Sequence, residues 1–151
     1  MSLEKRVLLV RPHAFIVNQM RPFLEGAGYT PVGARDLEHL RTELGTALKG
    51  AIISTAVTSA VDADAATVFR TVRERLPHLP IVFAGMADAA TMRITAERAV
   101  KDLVTSPILV GPADYRPGSG RGSTFLILRK DDLLNLEATD LATRALRSHF
   151  G

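Results

Sequence analysis

The chain has 151 residues, 46% of them apolar, and a formal charge of +3 spread over scattered basic residues. That is enough sequence for one domain with a real core, and the mild charge favours a solvated surface over a nucleic-acid footprint. There is no cysteine, which excludes disulfides, thiolate metal sites and cysteine nucleophiles and suits a reducing compartment. The opening residues 1–6 carry an acid and lack the long apolar core of a signal peptide. No apolar run approaches the roughly 20 residues of a membrane span. The expectation is a cytoplasmic protein with no membrane contact.

Val7-Leu8-Leu9-Val10 is a continuous apolar run, the pattern of a strand buried on both faces. Residues 13–27 then place Phe15, Ile16, Met20, Phe23 and Leu24 on one helical stripe. Pro22 should kink that helix, and Gly26 and Gly28 should stop it. Residues 29–32 read as a second strand, near an edge because of Pro31. Asp36 can cap a helix bearing Leu37, Leu40, Leu44 and Leu48. Ala51-Ile52-Ile53-Ser54 is the third strand, and Asp64 or Ala65 opens a helix with Val68, Phe69, Val72 and Leu76 inward. Ile81-Val82-Phe83-Ala84 is the fourth strand, Asp88 caps a helix to about Val100, and Leu103-Val104 reads as a short fifth strand ended by Pro107. Strands and helices alternating at this spacing predict right-handed βαβ units and a parallel sheet covered on both faces.

The last third changes rhythm. Ile108-Leu109-Val110 is apolar, residues 111–123 are rich in Gly, Pro and Arg, and Thr124-Phe125-Leu126-Ile127-Leu128 is a strong strand candidate. Helical sequence beginning at Asp131 or Thr139 carries Leu141, Ala145, Leu146 and Phe150. The simplest reading is a β-rich insertion before a last helix. The domain plan is one domain over 1–151, with a core at 5–107, an insertion at 108–130 and a C-terminal helix at 131–150.

Three phrases in order carry a family resemblance. The first helix exits through Glu25-Gly26-Ala27-Gly28-Tyr29, the fourth strand follows Leu79-Pro80, and Val104-Thr105-Ser106-Pro107 follows the last helix of the repeat. In these phrases and their spacing, residues 5–107 resemble the receiver domain of bacterial response regulators. The resemblance implies a doubly wound, flavodoxin-like α/β fold with five parallel strands in the order 2-1-3-4-5. It also implies a phosphoacceptor site at the strand ends: an acid pair after strand one holding Mg²⁺, an Asp ending strand three, a hydroxyl residue ending strand four and a Lys before the Pro. This chain departs at each matching position. Arg11 and Pro12 stand at the acid pair, and Thr55 (or Ser54, one residue out of register) stands at the phosphoacceptor. Gly85 (or Ala84) stands at the hydroxyl residue, Ser106 at the Lys and Leu103 at the aromatic switch position.

Chemistry gives these departures a meaning. Mg²⁺ takes hard oxygen ligands, and Arg11 would put a cation in its place. A threonine hydroxyl without a base or metal is a poor nucleophile, and phosphoryl transfer depends on metal and positioned charge. The expectation is a pseudo-receiver: a signal-transduction interaction module, not an enzyme, with no cofactor and no Mg²⁺. It would act through a protein partner or a homodimer, using the insertion and the last helix. Receivers commonly dimerise through the face around their last strand, and an insertion there would remodel it. Arg116, Arg121, Phe125 and Ile127 are the candidate contact residues.

Two rival readings stand beside it. In the first, Arg11 and Thr55, with the loop from Gly118 to Thr124, form a small anion- or nucleotide-binding site; against it, Arg11 is simply a plug in the vacated pocket. The loop has a phosphate-loop look, but it enters a β-rich run and not a helix, so the dipole is missing. In the second, Thr55 or Ser54 is a residual phosphoacceptor. His13, His39, His78 and His149 have no ligand spacing between them, and Asp131-Asp132 reads as helix-start charge.

Overall fold

A computed structural model describes residues 4–10, 16–34, 36–55, 65–116 and 123–151. Six strands form one parallel sheet: β1 (Arg6–Val10), β2 (Thr30–Ala34), β3 (Gly50–Ser54), β4 (Ile81–Gly85), β5 (Ile108–Val110) and β6 (Thr124–Arg129). Their order is β2-β1-β3-β4-β6-β5, with every neighbouring pair parallel. Among the described residues five α-helices accompany them: α1 (Arg21–Gly26), α2 (Leu37–Glu43), α3 (Ala65–Arg75), α4 (Ala89–Val100) and α5 (Leu136–Phe150). Among the described residues no helix is long and apolar enough to cross a membrane.

Strand side chains alternate between two cores, as a sheet covered on both faces requires. Leu8, Val10, Ile53, Phe83 and Phe125 point to the side of α2, α3 and α4. Val7, Leu9, Ile52, Val82 and Leu126 point to the side of α1 and α5. Phe69, Phe83 and Phe125 form an aromatic cluster in the first core, with ring centroids 5.6–6.2 Å apart. In the second core the Phe150 ring lies against Gly50, where a Cβ would collide with it. Tyr29, just before β2, meets the same ring edge-on, so the end of α5 is anchored to the entry of β2 and to β3 together.

Local signals explain most of the element ends. Asp36 accepts from the His39 amide at 2.7 Å and Asp88 from the Thr91 amide at 2.8 Å, so both expected caps form. β2 is an edge strand and carries Pro31. A π-helical turn at Ile16–Met20 runs directly into α1, with Pro22 in the first turn of α1. The missing N–H and the ring of Pro22 break the regular ladder at that point. α5 starts at Leu136, between the two expected starts, because Asn135 accepts from the Ala138 amide at 2.9 Å.

The last third needs correction. Leu103 and Val104 are not a strand; their amides fold back on the Val100 carbonyl and close α4. The chain then turns through Ser106, which has a positive φ of 51°, and Pro107, which leaves no room for a strand before Ile108. The place beside β4 belongs to β6, the strand read as an insertion. β5 lies outside it as the new edge. β6 prevails because it is six residues long and wholly apolar from 125 to 128, so it fills a position buried on both faces. Between β5 and β6 the segment after β5 crosses to the α5 side. There Tyr115 packs edge-on against His149, with the ring centroids 5.5 Å apart.

Candidate functional site

In an open α/β sheet, ligands bind beyond the carboxyl ends of the strands. The ends of β3, β4 and β6 meet at that edge in register: Ser54 pairs with Ala84, and Gly85 with Arg129. Ser54 is buried within β3. Thr55 follows it, with its amide on the Ala84 carbonyl at 2.9 Å. The Thr55 hydroxyl turns sideways onto β4 and α4, 3.1 Å from Met92 Sδ and 3.5 Å from the Ala84 carbonyl. A Cβ on Gly85 would collide with that hydroxyl and with Met92 Sδ. Gly85, Thr55 and Met92 therefore interlock: the missing side chain of one is filled by the other two.

The acids at this edge are already engaged. Asp88 caps α4, and its carboxyl is held below the usual range chiefly by the Thr91 amide, with a smaller contribution from the Arg129 charge. Asp131 pairs with the Arg129 guanidinium at 3.3 Å. Asp132 accepts from the Arg129 amide at 2.7 Å, and burial pushes its carboxyl above the usual range. Among the described residues no three His, Asp or Glu side chains come together as a metal site. Asp131 and Asp132 are thus not at the start of a long helix; they sit in a short 3₁₀ turn, Lys130–Leu133.

Several candidate residues need relocation. Ser106 precedes β5, at the amino ends of the strands, so it lies at the opposite edge of the sheet from Gly85. Leu103 lies beside it and is exposed. Phe125 and Ile127 are not surface residues. They are 1% and 6% exposed and belong to the core under α3 and α4, because β6 lies inside the sheet. Thr124 is buried at the start of β6, so it cannot serve a phosphate loop. Arg116 is exposed. Arg11, Pro12, His13, Arg121 and the loop at 118–122 lie outside the described residues.

Arg129 is the residue that sequence reading missed. It ends the strand beside β4, opposite Gly85. The signal was present: an apolar run of strand length ending in Arg129-Lys130. No proline follows it, and the Ser106-Pro107 pair drew the alignment away. His149 was also underread. It is buried in the second core, with Nε2 2.8 Å from the Ile81 carbonyl and Nδ1 3.1 Å from the Tyr115 hydroxyl. The first contact requires Nε2 to carry the proton, and in the neutral ring Nδ1 then accepts from Tyr115.

At the other end of the same edge lies a notch. β5 pairs with only the first half of β6, so residues 127–129 of β6 run on beyond it. The 3₁₀ turn Pro112–Asp114 crosses beside the gap. The resulting cavity of about 250 Å³ has Leu109, Ile127 and Leu141 among its apolar lining, with Arg93, Asp114 and Asp132 among its charged groups.

No protein-family model matches the sequence, and no curated protein matches it at significant similarity. Solved structures do match in shape. The signal receiver domain of an HD domain-containing protein from Pseudomonas fluorescens superimposes with a TM-score of 0.60 at 16% identity, covering 97% of this chain and 94% of that one. A response regulator receiver protein from Sinorhizobium medicae gives 0.57 at 15% identity, covering 97% of each chain. NtrX from Brucella abortus gives 0.61 at 14% identity over 97% of this chain, which spans only 27% of that protein. The chain has the fold of response-regulator receiver domains, with one strand added at the sheet edge.

Proposed function

We propose that this chain is a pseudo-receiver: a signal-transduction interaction module that works without phosphoryl transfer. The observation that carries the reading is the Thr55–Gly85–Met92 interlock. At the end of β3, where the resemblance puts an aspartate, a threonine hydroxyl is spent on a sulfur and a carbonyl. Among the described residues no three His, Asp or Glu side chains come together that could hold a metal, and a hydroxyl turned onto a thioether sulfur is poorly placed as a nucleophile. The anion-binding alternative has less support, because the N-terminus of α4 is already capped by Asp88. Arg11 is proposed as the plug of the vacated acid pocket. Action is then by binding, in a cytoplasmic setting and without catalysis, through the remodelled C-terminal part of the chain.

The test is direct. The protein is incubated with Mg²⁺ and acetyl phosphate, and its intact mass is measured. The mass should not change. A single phosphoryl adduct that disappears in Thr55→Ala would overturn the proposal and establish a residual phosphoacceptor.

A further inference from the structure

We infer that the notch at the end of β5 is a binding site for a free α-amino acid with an aliphatic side chain. Its carboxylate would lie on Arg93, its ammonium on Asp114 and Asp132, and its side chain on Leu109, Ile127 and Leu141. The inference rests on the reading of the C-terminal part as a binding element and names what it binds.

Topology puts a ligand site here. β5 is three residues long where β6 has six, and the difference in length leaves the gap. After β4 the chain leaves the sheet toward α4, and after β6 it leaves toward α5. The notch lies where these connections part to opposite faces, the place where open α/β sheets take ligands. Its volume of about 250 Å³ sets the size of the guest. At roughly 30 Å³ for each water-sized group, it holds about eight such groups. That suits one small amino acid and is too small for a nucleotide or a folded partner.

The charges are sorted across the gap. The cation stands on the α4 wall and the acids on the α5 side, in the two 3₁₀ turns that pack against α5. Arg129 also lines the cavity, but its guanidinium is held by Asp131 at 3.3 Å. Arg93 is the cation left for a carboxylate: among the described residues no acid pairs with it, the exposed Glu97 one turn on included. Glu97 does not line the cavity, and neither do Glu137 and Asp140 at the start of α5. On the opposite wall Asp132 takes the Arg129 amide on Oδ2, which leaves Oδ1 for a donor. Burial raises its carboxyl, the mark of a half-buried acid short of positive charge, and an ammonium beside it would relieve that cost. Asp114 is exposed and adds a second carboxylate for the three ammonium donors. Between the two walls Leu109 and Ile127 are buried aliphatic floor, and the described lining contains no aromatic ring. A simple anion would meet two acids here and a simple cation two arginines. A zwitterion satisfies both walls.

The experiment titrates the isotope-labelled full chain with free L-leucine and follows backbone amide shifts by NMR. Saturable shifts should centre on Gly111, Asp114 and Arg129, with a Kd below about 1 mM. N-acetyl-leucine, which lacks the ammonium, and isopentylamine, which lacks the carboxylate, should each bind at least about tenfold more weakly. Arg93→Gln should weaken leucine by about tenfold or more and leave isopentylamine unchanged. Asp132→Asn should weaken leucine and leave N-acetyl-leucine unchanged. Arg93 is exposed, so its variant should keep the wild-type spectrum elsewhere and the wild-type melting temperature. Four results would overturn the inference: no saturable shift up to about 10 mM leucine, shifts centred away from the notch, N-acetyl-leucine binding as tightly as leucine, or leucine binding indifferent to Arg93→Gln. None of them would touch the phosphoacceptor test above, so the two readings fail separately.

Discussion

At the carboxyl edge of this sheet two corners have opposite characters. Where β3 and β4 end, the chain closes the edge with its own atoms: Thr55 and Met92 fill the space over Gly85. Where β5 and β6 end, it leaves about 250 Å³ open, lined in part by the buried Leu109 and the exposed Leu141. The first corner is where the fold's chemistry would be done, and the second exists only because a strand was added. Under the proposed function the working surface lies at the sheet edge and not at the pocket. The comparison also separates two kinds of residue. Those in the closed corner should matter to stability, and those of the open corner to association.

The largest stability effect should come from the pin that holds the wall of the open corner. Tyr115 follows the turn that borders the notch, and its hydroxyl is bonded to His149, which in turn bonds the start of β4. His149→Leu leaves the Ile81 carbonyl and the Tyr115 hydroxyl without this partner. It should cost about 1–3 kcal/mol, read by urea unfolding. Tyr115→Phe should cost less. If both substitutions were silent, the wall would be held by packing alone. The closed corner comes next. Gly85→Ala should cost about 1–3 kcal/mol through overpacking. In a Thr55→Ala background the penalty should shrink, because the hydroxyl that a new Cβ would strike is gone. Equal penalties in the two backgrounds would show that the corner is not interlocked.

The two corners also differ in how far they were legible. The β3 and β4 ends could be read directly: continuous apolar runs gave the strands, and Ser54, Thr55 and Gly85 fall at their ends in the expected register. How Thr55 turns could not be read, because a hydroxyl's direction depends on Met92, 37 residues away. The outer strands misled for a different reason. Leu103-Val104 and Thr124 to Leu128 are both apolar, and the shorter was chosen because it stood next in the βα rhythm before a proline. Strand order is set by which segment can bury both faces, a property of length and of both cores together. With β6 moved inward, Phe125 and Ile127 passed from surface to core, and the cation at the pocket edge became Arg129. His149 carried no spacing signal at all, since its partners, Tyr115 and the Ile81 carbonyl, come from unrelated parts of the chain.

The smallest effect tests whether the open corner depends on charge. Asp132 borders the notch and accepts from the Arg129 amide, and its carboxyl is raised mainly by burial; the Arg129 hydrogen bond and charge oppose the shift, and Asp131 adds to it. A carboxyl raised on folding binds its proton more tightly in the folded state. Its contribution is therefore greatest when protonated, below the unfolded value of about 3.9, and is lost as pH rises through the higher folded value. At neutral pH the ionised group is thus a mild burden. Asp132→Asn keeps an acceptor oxygen for the Arg129 amide and removes the charge. The variant should match or slightly exceed the wild type at pH 7, by no more than about 0.5 kcal/mol for a half-buried group whose hydrogen bond is kept. The gap should close as pH falls through the carboxylate range, with melting temperatures of both proteins measured side by side to cancel the general acid effect. A variant that is less stable at pH 7, with the deficit vanishing in acid, would mean that the ionised carboxylate is itself wanted there. The Arg129 guanidinium would then be its partner, and the notch would present a fixed ion pair to whatever enters it.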